Sequence, residues 1–166
     1  MHRILITVCA MLAGLVLVAS QADPAGGGGS APALAAVVHK SCGLDNVSTT
    51  DLRKMLLGDL RIWQDSRPIV LIEQPDESVV QQRMLRVLLR TDPAGYKRQL
   101  LAIQFQGNEL PIIKILSADD NAIKFVWNLP GAIAVVDATT AAANSARVKV
   151  LRIDGKVPGE PGYPLQ

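Results

Sequence analysis

The residues best placed to do chemistry lie between Glu73 and Val80, where Glu73, Asp76 and Glu77 surround the approach to Ser78. A hydroxyl at a helix start accepts from the first free N–H groups, and those same N–H groups favour an anion. Ser78 therefore reads first as an N-cap and second as a ligand contact, with Gln74 beside it. The three carboxylates would oppose an anion. They could hold a cation or an amine instead, but a solvated acidic turn that stabilises the helix start is the simpler account. Thr49 and Thr50 are the other hydroxyls near a strand end. They complete a candidate ligand-binding set of Ser78, Gln74, Thr49 and Thr50.

Other reactive residues are sparse. His39 and Cys42 stand three apart, without an evident orienting group or oxyanion hole to make a nucleophile of the thiol. One Cys and one His fall short of the three or four ligands of a metal site, so neither metal nor cofactor is expected. The chain lacks a Gly-x-Ser-x-Gly elbow, and Gly26–Gly29 is not a phosphate-cradling loop because no strand precedes it. The chain is read as a non-enzyme. Lys and Arg total 17 against 15 Asp and Glu, a net charge of +2, with no basic run interleaved with aromatics. Nucleic acid is thus not an expected partner. Arg83, Arg86 and Arg90 recur at helical spacing as a solvated face, with a docking patch as the alternative. Asp119 and Asp120 read as a helix cap, and Trp63 and Trp127 as core or groove residues.

These groups must be positioned by the elements around them. Residues 1–22 carry a basic start, an apolar run from Ile4 to Ala19 and a small-x-small site at Ser20-Gln21-Ala22, the pattern of a signal peptide. Export to the periplasm or outside follows, with an uncleaved anchor as the alternative. Cleavage would leave Cys42 as a lone thiol. Residues 23–33, holding Gly26-Gly-Gly-Gly-Ser30, form a flexible linker. Residues 34–166 form one domain, long enough to bury about two-thirds of its unfolded surface. Strands are expected at Leu34–His39, Pro68–Ile72, Pro111–Leu116, Ala132–Val136 and Val148–Ile153. Helices are expected from Ser48 to Gly58, from Ser78 through Leu89, from Pro93 through Leu101, and from Asp119 through Trp127. Asp137 to Ala146 is either a loop or a short helix, and the Pro-rich tail packs as an extended strip. Strands alternating with helices imply an α/β domain, with a mixed or mostly parallel sheet of about five strands covered on both faces.

The order of several segments carries a resemblance. They are Ala35-Ala-Val-Val-His39, Leu52-Arg-Lys-Met-Leu-Leu-Gly58 closing on Trp63, Phe105-Gln-Gly107, and Pro130-Gly-Ala-Ile-Ala-Val-Val136. Leu151-Arg-Ile-Asp-Gly155 and Tyr163-Pro-Leu165 complete the set. Together they resemble the second lobe of the periplasmic phosphate-binding proteins that feed ABC importers. The resemblance implies a single-lobe, type 2 periplasmic-binding-protein-like domain whose two ends point toward the other lobe. It also implies an anion loop of the form Arg-x-x-x-Ser-Gly-Thr. The matching stretch here is Gln74 to Val80, where Gln74 replaces the arginine, Ser78 matches, and Val79-Val80 replace Gly-Thr. The Gly-Tyr pair that the family carries after Pro-Gly-Ala-Ile is Ala134-Val135 here.

A solute clamp needs two lobes, and this length accommodates one. The expectation is therefore a non-catalytic binding or interaction module. Its partner is a protein or a second copy, met through an apolar patch where the other lobe would sit. The alternative is a component that binds phosphate or another oxyanion together with a second lobe or as a dimer.

Overall fold

The computed structural model describes residues 33–166. The expected leader and all of the linker but Ala33 lie outside the described residues. The elements in chain order are β1 (Leu34–His39), β2 (Asn46–Val47), α1 (Thr49–Leu57), β3 (Val70–Glu73), α2 (Val79–Leu89) and α3 (Pro93–Phe105). They continue with β4 (Ile112–Ile115), α4 (Asp119–Asn128), β5 (Ala132–Asp137), α5 (Ala138–Ala143), β6 (Val148–Val150) and β7 (Arg152–Ile153).

The main sheet has five strands in the order β4-β3-β5-β1-β6. β3 runs parallel to β4 and β5, while β1 is antiparallel to both its neighbours, so one strand opposes four. Period-two alternation sends successive side chains to opposite faces. On one face Leu34, Ala36, Val38, Leu71, Ile133 and Val135 pack into a core completed by α1, α2 and α3. On the other, Ala35, Val37, Ile72, Ala132, Ala134 and Val136 meet Ala122, Ile123 and Val126 of α4 and Ala141 of α5. Alanines dominate that second face, which lets α4 and α5 approach the strands closely.

The helices start where their capping residues stand. The Ser48 hydroxyl accepts from Asp51 N, Ser78 from Gln81 N, and the Asp92 carboxylate from Gly95 N. Gly58 stops α1 in the left-handed region, its N–H bonding back to Met55 and Lys54 carbonyls. At the tail, the Leu165 carbonyl accepts from Leu34 N at 2.8 Å, and Tyr163 and Leu165 are buried. The Tyr163 hydroxyl has no partner among the described residues, and burial pushes its pKa above the ordinary phenol value.

Two details depart from expectation. The last strand breaks at Leu151, and its second half, β7, pairs in parallel with β2 as a separate two-stranded sheet. Of the loop and the short helix left open after Asp137, the helix forms, as α5. Trp127 is 47% exposed rather than in the core, and Arg147 stacks over its ring at 5.3 Å. α4 buries Ala122, Ile123 and Val126, and Trp127 falls one residue past that stripe. In α3, Leu101 is exposed, because only Gly95 and Tyr96 of that helix are buried.

Leu85 is fully buried at the centre of the first core. Leu85→Ala is expected to cost about 2–5 kcal/mol, whereas exposed Leu101→Ala stays within about 0.5 kcal/mol of wild type. Urea unfolding of both variants checks this contrast.

Candidate functional site

β3, β4 and β5 are parallel, and each is followed by a helix, so the N-termini of α2, α4 and α5 gather at the carboxyl edge of the sheet. That edge is where ligands sit in open α/β sheets. The pairing of Leu34 with Asp137 brings the start of β1 to the same edge, and Leu34 in turn holds Leu165 there. Leu34 and Leu165 thus lie side by side beside the candidate site.

Gln74 and Ser78 come together. Gln74 is buried, its Oε1 accepts from the Ser78 hydroxyl, and its Nε2 donates to Asp119 Oδ1. Asp119 Oδ2 accepts from Asp137 N at 2.9 Å. One carboxylate therefore ties β3, α4 and β5 to each other. This corrects the expectation that Asp119 and Asp120 cap α4. The N-cap is Ala118, which makes no side-chain cap bond, and Asp119 turns toward the sheet edge instead.

The three acidic residues before Ser78 do not converge. Glu73 points inward, where its carboxylate oxygens meet Tyr96 Oη at 2.8 Å and Gln81 Nε2 at 3.0 Å. Asp76 pairs with Lys97, and Glu77 is exposed. Burial holds the Glu73 carboxyl above the usual carboxylate range, aided by the nearby Asp76 charge, while the contacts to Tyr96 and Gln81 act the other way. Among the described residues no cluster of three His, Cys, Asp or Glu side chains could hold a metal ion.

Thr49 and Thr50 do not join Gln74 and Ser78. Thr49 N and Oγ1 both donate to the Asp154 carboxylate, at 3.0 and 2.5 Å, beside the β2–β7 pair. Thr50 is exposed in the first turn of α1. His39 and Cys42 lie at the opposite end of β1, where His39 pairs with Val148 at the start of β6. The Ser41 hydroxyl and N–H both donate to His39 Nδ1, at 2.8 and 3.0 Å, and Cys42 is a half-buried free thiol. Trp63 is buried as expected, donating its indole N–H to the Gly131 carbonyl at 2.9 Å.

Gln81 and Tyr96 belong to this network and were not singled out as site residues by sequence. Asp119 was read there only as a helix cap, and Asp154, which holds Thr49 outside the network, was not singled out either. Gln81 left a trace, as a polar residue on the apolar stripe of Met84, Leu85 and Leu88. Asp119 lies 45 residues from Gln74, and Asp154 lies 105 from Thr49, beyond any local pattern.

No family model and no curated protein matches the sequence. Solved structures do match in fold. PstS from Borrelia burgdorferi aligns at TM-score 0.65 and 14% identity, covering 81% of this chain and 54% of that one. An ABC-type phosphate transport receptor from Vibrio cholerae aligns at TM-score 0.64 and 13% identity, covering 81% and 53%. A Clostridium perfringens structure described as a phosphate ABC transporter substrate-binding protein, with bound phosphate, aligns at TM-score 0.61 and 15% identity, covering 76% and 47%. The fold is that of one lobe of a phosphate-type substrate-binding protein. The chain spans about half the length of these structures, and at such identities the likeness is one of fold.

Within this lobe, Asp119 is the residue whose loss leaves partners stranded. Asp119→Ala strands Gln74 Nε2 and Asp137 N, and is expected to cost about 1–3 kcal/mol. Exposed Asp120→Ala is expected to change stability by less than about 0.5 kcal/mol. Thermal unfolding of the two variants distinguishes a bridging Asp119 from a mere helix-start charge.

Proposed function

We propose that this chain is an exported, non-catalytic binding module whose contact face is the carboxyl edge of the sheet. It docks a protein partner or a second copy of itself there rather than holding phosphate. Export rests on the leader expected over residues 1–22. Among the described residues no helix is long and apolar enough to cross a membrane.

One observation carries the choice of ligand class. The helix N-termini at this edge are already supplied with the protein's own acceptors. Asp137 takes Thr139 N and Ser78 takes Gln81 N. Asp119 and Asp120 stand in the first turn of α4. An incoming phosphate would meet these carboxylates where a receptor needs donors. The residue in place of the family's arginine is Gln74, and its amide is spent on Ser78 and Asp119. The edge also differs from the apolar patch anticipated for it, since the large exposed apolar residues there are Val79 and Ile115 among polar neighbours.

A second reading is an oxyanion-binding component that acts with another lobe or copy. It is favoured by Ser78 standing at the α2 N-terminus and by the phosphate-bound neighbour of like fold. Isothermal titration of the purified protein with phosphate, alongside its mass in solution, separates the two. The expected outcome is no binding heat at millimolar phosphate. Saturable micromolar binding would overturn the proposal in favour of the oxyanion reading. A dimeric mass would identify the second copy as the partner, and a monomeric one would point to another protein.

A further inference from the structure

We infer that Glu73 is kept as a neutral carboxylic acid in the folded protein, and that its hydrogen starts a short relay from Glu73 through Tyr96 to the Leu56 carbonyl. This makes Glu73 a pH-sensitive positioning residue for Tyr96 and the end of α1, in the core behind the carboxyl edge.

The evidence is a count of hydrogens. Tyr96 Oη lies 2.9 Å from the Leu56 carbonyl oxygen and 2.8 Å from Glu73 Oε1. A phenol carries one hydrogen, and an ionised carboxylate and a carbonyl can only accept. With Glu73 ionised, one of those two buried contacts is two oxygens with no hydrogen between them. With the hydrogen on Glu73 Oε1, both contacts are satisfied: Glu73 donates to Tyr96, and Tyr96 donates to Leu56. Glu73 Oε2 is then the acceptor for Gln81 Nε2 at 3.0 Å. That contact fixes which way the Gln81 amide faces, so its Oε1 accepts from Gln74 N at 3.2 Å. Gln74 in turn accepts from Ser78 and donates to Asp119. Gln74 thus donates both inward, to Gln81, and outward, to Asp119.

The surroundings of Glu73 fit a neutral acid. The side chain borders an apolar cavity of about 20 Å³ lined by Leu52, Met55, Met84 and Leu88 among others. The groups that face it are the Leu56 carbonyl from α1, the Gln81 amide from α2 and the Tyr96 phenol from α3. In the turn after β3, the negative charge of Asp76 opposes ionisation, and Lys97 of α3 is engaged with Asp76. Asp119 is reached only through Gln74. Burial, the largest influence, raises the Glu73 pKa.

The sign of the pH dependence follows from that direction. Because the folded pKa is raised, the stabilisation is complete below the ordinary glutamate value of 4.5 and is lost as pH rises through the folded value. Ionisation would draw the Tyr96 hydrogen to Glu73, leave the Leu56 carbonyl unpaired and place a charge in the core.

The test uses the whole chain labelled with ¹³C at glutamate carboxyls. There are four glutamates, and Glu77, Glu109 and Glu160 are exposed. One resonance is expected to titrate well above the other three and to vanish in Glu73→Gln. Four resonances titrating together, or a high-titrating one that survives in Glu73→Gln, would overturn the inference. Thermal unfolding from about pH 5 to about pH 8 supplies a second readout. Glutamine can donate to Tyr96 and accept from Gln81, so Glu73→Gln keeps the relay at every pH. Its Tm is expected to gain on wild type as pH rises across that range. Equal pH slopes in the two proteins would sink the idea. Should Glu73→Gln not fold, the wild-type resonances still decide, since a lone high-titrating glutamate supports the inference and its absence refutes it.

Discussion

The antiparallel pairing of β1 with β5, from Leu34 opposite Asp137 to Val38 opposite Ile133, is the contact on which the other elements depend. β1 is the strand that runs against the other four, and it lies inside the sheet rather than at a rim. Its alternate side chains enter both cores, so the two helical layers are held in register through it. Reversal also decides where the chain enters. A parallel β1 would begin at the far end of the sheet, whereas this one begins at the carboxyl edge and meets Leu165 there. Leu34 and Leu165 are thereby both kept beside the candidate site.

At the same edge, N–H groups of helix starts meet acceptors of the protein itself. An anion site at helix N-termini works by leaving N–H groups free for a ligand. Here Asp137 and Ser78 have taken such groups, and Asp119 draws three elements together through Gln74 and Asp137. Internal acceptors of this kind give a rigid, satisfied edge in the absence of ligand. N–H groups satisfied in this way are not available to an anion.

The polar interior behind the edge is unusual in its connectivity. Glu73, Gln81 and Gln74 are the buried polar side chains among the described residues, and all three are in one network with Tyr96. Buried polar groups are costly unless every one is paired, and a network that satisfies all of its members specifies one arrangement. Tyr163 contrasts with this. Its hydroxyl is buried without a partner among the described residues, so it contributes bulk to the core and little direction.

Local rules made most of the scaffold legible. Apolar runs of strand length marked the five places of the main sheet, because the inner strands β1, β3 and β5 are covered on both faces, while the rim strand β4 kept an apolar run with Ile112 and Ile115 exposed. Ser48, Ser78 and Asp92 marked helix starts, because a short acceptor there meets free N–H groups within three residues. The order of segments around Trp63, Pro130 and Leu165 was enough to suggest a single lobe. Only the tertiary structure decided what the candidate site is. Gln74 and Ser78 were visible as neighbours in a turn, but Asp119, Asp137 and Tyr96 reach them across contacts no periodicity encodes. Thr49 looked equivalent to Ser78 in sequence and proved to be held by Asp154, which follows β7. Caps and strands are local because their hydrogen bonds close within a few residues. A site made by bringing several strand ends together exists only once the sheet has ordered them.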